Sequence, residues 1–172
     1  LNKDKTNIVP LCFAATAEDG HFTFNYSDAS FCNGGFLSQI EKQKHGHNYT
    51  LEVEGKNLQD FLLTNYKTDL DKLCLIKVDA EGYDKEILKT IPKILSDYQP
   101  NLMVECYKRL NRAERYELFD VIKDQGYNLF YLENFEVQKD LKLLNRENMM
   151  DHKHFEILAL PEMNAYGKSG DQ

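Results

Sequence analysis

After residue 70 this chain alternates short apolar runs with amphipathic stretches, and that alternation constrains its fold more than any other feature. Leu73 to Val78 (LCLIKV) is a mostly apolar run of strand length, as expected of a strand covered on both faces. Tyr83 to Tyr98 then sets Ile87, Leu88, Ile91, Ile94, Leu95 and Tyr98 along one helical face. Pro92 interrupts this pattern and fits the first turn of a second short helix, with Thr90 as its cap. Leu102 to Val104 is the next apolar strand. Asn111, with Glu114 three residues later, marks a helix start whose buried face is Leu118, Phe119 and Ile122. Gly126 supplies the left-handed exit, and Tyr127 to Leu132 reads as a strand. The order strand–helix–strand–helix–strand implies an α/β fold with a mostly parallel sheet and helices on its faces. The last strand, Phe155 to Leu160, follows a helix-free connection and so can run antiparallel.

The first half is less regular. Asn7 to Ala14 is a strand candidate weakened by Pro10, which cannot donate to a ladder. A turn at Glu18-Asp19-Gly20 and the alternating run His21 to Tyr26 follow, and the pair reads as a hairpin-like excursion. Residues 27–48, rich in Ser, Asn, Gly and His, read as a long loop. Thr50 to Glu54 alternates as a short strand, and Leu58, Phe61 and Leu62 fall at helical spacing within 57–65. Residues 1–165 are read as one domain and residues 166–172 as a disordered tail.

Composition narrows the function classes. The 172 residues carry a net charge of −7, and neither half is basic. A protein that lives on phosphate backbones usually presents a positive face, so nucleic acid is not expected as a partner. No apolar run approaches the ~20 residues that span a bilayer, so no membrane partner is expected either. The four cysteines, Cys12, Cys32, Cys74 and Cys106, have no metal or redox spacing. They are read as buried free thiols of a reducing compartment, the cytoplasm. His45-Gly46-His47 and His152-Lys153-His154 lie in polar stretches and are read as exposed loop residues, so no metal site is assigned.

Chemistry is expected where the strands end, because open α/β sheets bind ligands outside the carboxyl ends of their strands. Leu73–Val78 runs out into Asp79-Ala80-Glu81-Gly82, and Leu102–Val104 into Glu105. If these strands are parallel neighbours, Asp79, Glu81 and Glu105 meet at one sheet edge. Three carboxylates can accept a proton from a hydroxyl, hold a cationic or polyhydroxyl ligand, or coordinate a hard metal. The plain alternative is that acidic residues at a helix start serve its dipole, a role that Asp84 and Glu86 fit and that Glu81 can share. Tyr83 and Tyr107 flank the acidic edge, where each can line a pocket or simply pack.

The stretch Ile76-Lys77-Val78-Asp79-Ala80-Glu81-Gly82-Tyr83-Asp84-Lys85-Glu86-Ile87-Leu88 resembles the signature of FkbM-type methyltransferases, a Lys-x-Asp-x-Glu-Gly block followed by a helix with Glu and a Val/Ile-Leu pair. Pro100 to Glu105 is similar to that family's next strand with its terminal Glu, and Gly126-Tyr127 to its later Gly-Tyr. Residues 57–62 resemble the short helix before the signature, and the turn from Ala14 to Gly20 the segment after the third strand. The resemblance covers roughly residues 7–160. It implies a Rossmann-like methyltransferase sheet and S-adenosylmethionine as cofactor. The acceptor would be a hydroxyl of a small molecule or sugar. It also implies that Asp79, Ala14 and Ala15 lie by the cofactor, that Asp79 acts as base or orients the acceptor, that Glu81 and Glu105 shape the acceptor pocket, and that Tyr83 and Tyr107 line it. One departure is large. The chain has no Gly-x-Gly pair, and the family's first β-α-β unit, which holds the methionine moiety and ribose, has no counterpart. This predicts weak or no cofactor binding by the chain alone, and an exposed edge on Leu73–Val78. The rest of the cofactor site would then lie upstream of Leu1 or in a partner, or the domain has left catalysis. Two rival functions are a non-catalytic α/β binding module and a metal-dependent hydrolase built on Asp79, Glu81 and Glu105.

Overall fold

A computed structural model describes residues 7–26, 34–35, 49–133 and 141–162. They form two mixed sheets with helices, an α/β arrangement as the alternation implies. The first sheet has the order β1-β4-β2-β3, with β1 at Ala14–Thr16, β2 at Gly20–Tyr26, β3 at Gly34–Gly35 and β4 at Tyr49–Asn57. The expected hairpin is not formed. β1 and β2 do not pair with each other but flank β4, β1 parallel to it and β2 antiparallel. Residues 7–13 stay outside any strand, consistent with Pro10. Gly55 lets β4 occupy the centre of this sheet. A Cβ there would come within 2.5 Å of the Phe22 ring and 2.6 Å of the Thr16 hydroxyl.

Asn57 ends β4 and starts α1 (Leu58–Asn65). Its side chain accepts from the Asp60 N–H at 3.0 Å and donates to the Ala17 carbonyl at 2.7 Å. One residue thus satisfies an orphan helix donor and ties the helix start to the turn after β1.

The second sheet has the order β5-β6-β9-β7-β8. β5 is Leu75–Val78, β6 Asn101–Cys106, β7 Tyr127–Leu132, β8 Lys142–Leu143 and β9 Phe155–Pro161. β5 and β6 are parallel, whereas β9 is antiparallel to both β6 and β7. The strands β5, β6 and β7 therefore point the same way, and the last strand is inserted between two of them. The expectation of a mostly parallel sheet is corrected to this extent. Only β5–β6 is a parallel ladder here, because the antiparallel strand interrupts the series. β5 lies at the sheet edge, with Leu75 47% exposed and Lys77 exposed, so it is not covered on both faces.

The helices are α2 (Asp84–Lys89), α3 (Pro92–Tyr98) and α4 (Arg112–Lys123). Pro92 opens α3 as its position demands, but Thr90 does not cap it. The Thr90 hydroxyl donates to the Ile87 carbonyl at 2.7 Å, closing α2 instead. Asn111 and Glu114 form the full capping box, and Gly126 takes φ +82 after α4. Leu88, Ile91, Ile94, Leu95, Leu118 and Ile122 pack with Leu102, Val104, Tyr127, Leu129, Ile157 and Ala159 in one buried core. Of the described cysteines, only Cys106 joins that core. Cys12 and Cys74 are exposed, contrary to expectation, and Cys32 lies outside the described residues. So do His45 and His47, most of the 27–48 loop and the 166–172 tail. Among the described residues no helix is long and apolar enough to cross a membrane.

Arg115, 3% exposed, joins α4 to the sheet. Its guanidinium donates to the carbonyls of Leu110 at 3.1 Å, Met149 at 2.9 Å, His152 at 2.6 Å and Lys153 at 2.6 Å. A planar fork of five donors can serve several fixed carbonyls at once, which an ammonium cannot. Replacing Arg115 with Met should cost on the order of 3 kcal/mol, since the buried carbonyls lose their donors. Urea denaturation of the variant checks this, and a loss below about 1 kcal/mol would show that water replaces the guanidinium.

Candidate functional site at the carboxyl ends of β5 and β6

The register Val78↔Val104 sets the end of β5 beside Val104, two residues before β6 ends at Cys106, so Asp79 leaves β5 level with Glu105, which is still within β6. The chain then turns at once. The Tyr83 N–H closes on the Ala80 carbonyl at 3.0 Å, and both residues between them are left-handed, Glu81 at φ +52 and Gly82 at φ +101. For glycine this conformation is free, whereas for glutamate it is strained. Strain of that kind is held in place by surrounding structure.

What holds the turn is Asp84, the first residue of α2 and only 1% exposed. Its carboxylate accepts from the Gly82 N–H at 3.0 Å and the Ala80 N–H at 3.3 Å. The sequence suggests only a helix-dipole role for it. The structure makes it the brace of the loop that carries Asp79 and Glu81. Burial raises its pKa, and the backbone N–H groups oppose that shift.

The expected site residues divide as follows. Asp79 is exposed and accepts from the Lys77 ammonium at 2.5 Å. Glu105 is 6% exposed, and its carboxyl is pushed up to about 7, first by burial and then by the charges of Glu81, Asp84, Asp79 and Glu156. Asp79, Glu81 and Glu105 thus share one electrostatic neighbourhood, and Asp84 and Glu156 belong to it. Tyr107 joins it too. Burial raises its phenol, with Glu81 adding through charge and a hydrogen bond. Burial raises the Tyr83 phenol as well, and the charges acting on it are those of Glu86 and Lys89 on α2. Ala14 and Ala15 are half-buried in β1, a strand of the other sheet that lies against α2.

Two residues escaped sequence reasoning. Glu156 on β9 faces Glu105 directly, since the two are cross-strand partners. His154, expected to be a free loop residue, stands with Nδ1 3.7 Å from Glu105 Oε1. His152 is half-buried and stacks on Tyr131, ring centroids 4.0 Å apart. No local signal marks these contacts, because they depend on where the antiparallel last strand inserts. Among the described residues no group of three or more His, Cys, Asp or Glu side chains is arranged to hold a metal ion.

The chain belongs to the FkbM methyltransferase family. The model of the methyltransferase FkbM domain matches residues 1–129, from before β1 into β7. No curated protein and no solved structure matches the chain. Methyltransferases of this family imply S-adenosylmethionine as methyl donor. The described glycines do not fit its methionine moiety. Gly55 and Gly20 lie under the Phe22 ring, and the space beside Gly82 is taken by the Tyr107 ring at 3.2 Å. Gly126 is open but precedes β7, at the opposite end of the strands.

Glu105 makes stability depend on pH. A carboxyl raised from 4.5 to about 7 contributes its full stability below pH 4.5 and loses it as pH rises through 7. Glu105→Gln should therefore match the parent at pH 4 and exceed it at pH 8 by up to about 3 kcal/mol. Thermal melts across that range test this, and parallel curves for the two proteins would refute it. Asp84→Asn leaves one of the two N–H groups facing an amide NH2, and should cost about 2 kcal/mol at pH 7 in the same assay.

Proposed function

We propose that this chain is the acceptor-binding part of an S-adenosylmethionine-dependent O-methyltransferase acting on a hydroxyl of a small molecule, a sugar being the leading class. The observation that carries this is the β5–β6 register, which sets Asp79, just past the end of β5, beside Glu105 near the end of β6. Family membership supplies the reaction class. On this reading the sheet with β5, β6 and β7 in one direction is the later half of a Rossmann-like methyltransferase sheet.

Asp79 is the exposed carboxylate of the group and so the one that an acceptor reaches. It accepts the hydroxyl proton or orients the hydroxyl, with the Lys77 ammonium beside it. Glu105 lies deeper and is half-protonated near neutral pH, so it can donate or accept towards a second polar group of the acceptor. Glu81 and Tyr107 line the same edge. Asp84 keeps the turn in the one conformation that presents Asp79 and Glu81 together. Catalysis would rest on alignment of the acceptor more than on acid–base strength. The described residues offer no cradle for the cofactor, so no step is assigned to it. The exposed thiols of Cys12 and Cys74 suit the reducing cytoplasm.

The hydrolase reading is disfavoured by the lack of a metal-binding geometry among the described residues. A non-catalytic binding module remains the second reading, favoured by the glycines that do not fit the cofactor.

Calorimetric titration with S-adenosylhomocysteine separates the two. The described glycines predict binding weaker than about 100 μM, near −5.5 kcal/mol. Binding near micromolar, about −8 kcal/mol, would mean that another segment supplies the cradle and that the chain is a transferase in its own right. In any form that turns over, Asp79→Asn should lower kcat by about 100-fold or more. Unchanged turnover would remove Asp79 from the mechanism.

A further inference from the structure

We infer that the facing pair Glu105 and Glu156 is a binding site for a protonated amine, and that the acceptor therefore carries an ammonium group beside its hydroxyl. The inference rests on reading this edge as the acceptor side. It adds Glu156, which lies beyond the family-matched residues 1–129.

Three observations support the site. First, the β6–β9 register puts Glu105 and Glu156 directly opposite each other, so their side chains leave the same face of the sheet some 5 Å apart at the backbone. Like charges so placed destabilise a ladder unless something compensates them. Second, each keeps one carboxylate oxygen, Oε2 in both, buried and without a hydrogen-bond partner. A buried acceptor left open costs about 1–3 kcal/mol, and Glu105 is 6% exposed. Third, carboxylates dominate the surroundings. Burial first, and then Glu81, Asp84 and Asp79, raise the Glu105 carboxyl; burial also raises that of Glu156, where Asp79 and Asp84 add to the shift and Lys77 and His154 oppose it. Among the described residues the basic side chains beside the pair are Lys77, ion-paired with Asp79, and His154, 3.7 Å from Glu105.

An ammonium matches the two open oxygens in charge and in donors. It carries three N–H groups, enough to serve both open oxygens and a third acceptor. Exclusion of water at the buried end strengthens such pairing. The donor set lacks metal-binding geometry, so the ligand is held by hydrogen bonds and not by coordination. Both carboxyls are raised by burial first, so the amine binds as it displaces the proton and its affinity should climb between pH 6 and 8.

The test uses the full chain at pH 7, where the sugar amine is still mainly protonated, with binding followed by NMR shift changes. D-Glucosamine and N-acetyl-D-glucosamine are the probes, the same ring with and without the charge. Glucosamine should bind at least ten-fold more tightly, a gap of about 1.4 kcal/mol. Glu156→Gln should close that gap without lowering the melting temperature, because it removes a buried negative charge. Equal binding of the two sugars, no binding of glucosamine by the folded chain, or a gap that survives Glu156→Gln would each overturn the proposal. If Glu156→Gln weakens S-adenosylmethionine but not S-adenosylhomocysteine, the cation is the cofactor's sulfonium and the acceptor assignment falls. None of these results touches the methyltransferase reading, which rests on family membership and is tested by the turnover of Asp79→Asn.

Discussion

The guanidinium of Arg115 is the point on which the second sheet depends. It sits in α4, yet it satisfies carbonyls in the loop after β6 and in the segment that leads into β9. That segment, not a turn, decides where β9 enters the sheet. A buried cation with no carboxylate against it is costly, and here four carbonyl dipoles supply the compensation. The Phe155 ring, 6.0 Å from the guanidinium carbon, covers one side of it. Phe155 is also the residue that starts β9, so one contact couples helix, loop and strand.

The same coupling sets the chemistry of the acidic edge. β9 brings Glu156 opposite Glu105 and His154 beside it. The turn after β5 brings Asp79 and Glu81, with Asp84 as brace. Two long-range placements and one strained turn thus gather five carboxylates. Burial first, and then their mutual repulsion, push the Glu105 carboxyl up to about 7. Ion pairs elsewhere are of a different kind. Lys85 and Lys89 bridge α2 to Glu117 on α4 at the surface, where such pairs contribute little.

Much of the second half was legible in the sequence, for physical reasons that can be named. Pro92 breaks one helical face into α2 and α3, Asn111 and Glu114 cap α4, and Gly126 takes the conformation that only glycine adopts freely. The end of β5 before Asp79 follows from the alternation alone, whereas β6 runs on through Glu105 to Cys106, where β9 pairs with it. The failures are equally specific. Thr90 bonds backward to Ile87, a choice that propensity does not decide. The apolar run at Leu73–Val78 promised a covered strand, but Leu75 is exposed because β5 ends the sheet. Ala14–Thr16 pairs with β4, 41 residues away in register, where adjacency suggested β2. Glu156 and Arg115 carry no local mark at all, since an acidic residue in a strand and a cation in a helix are usually solvated.

The inserted strand has a consequence for how the molecule comes together. β6 and β7 share no hydrogen bonds, so before β9 docks the second sheet exists as two separate ladders, β5 with β6 and β7 with β8. Each is too small to be stable in water by itself. The segment that unites them pairs Leu102 with Ala159 and Leu129 with Ala159, closing loops of very different length in one event. Such closures are slow, because the chain loses entropy before the ladder returns any energy. A nascent chain emerging from the ribosome therefore holds its acidic edge open and unassembled until the last strand has been made, and assembly of the site and completion of the sheet are a single step.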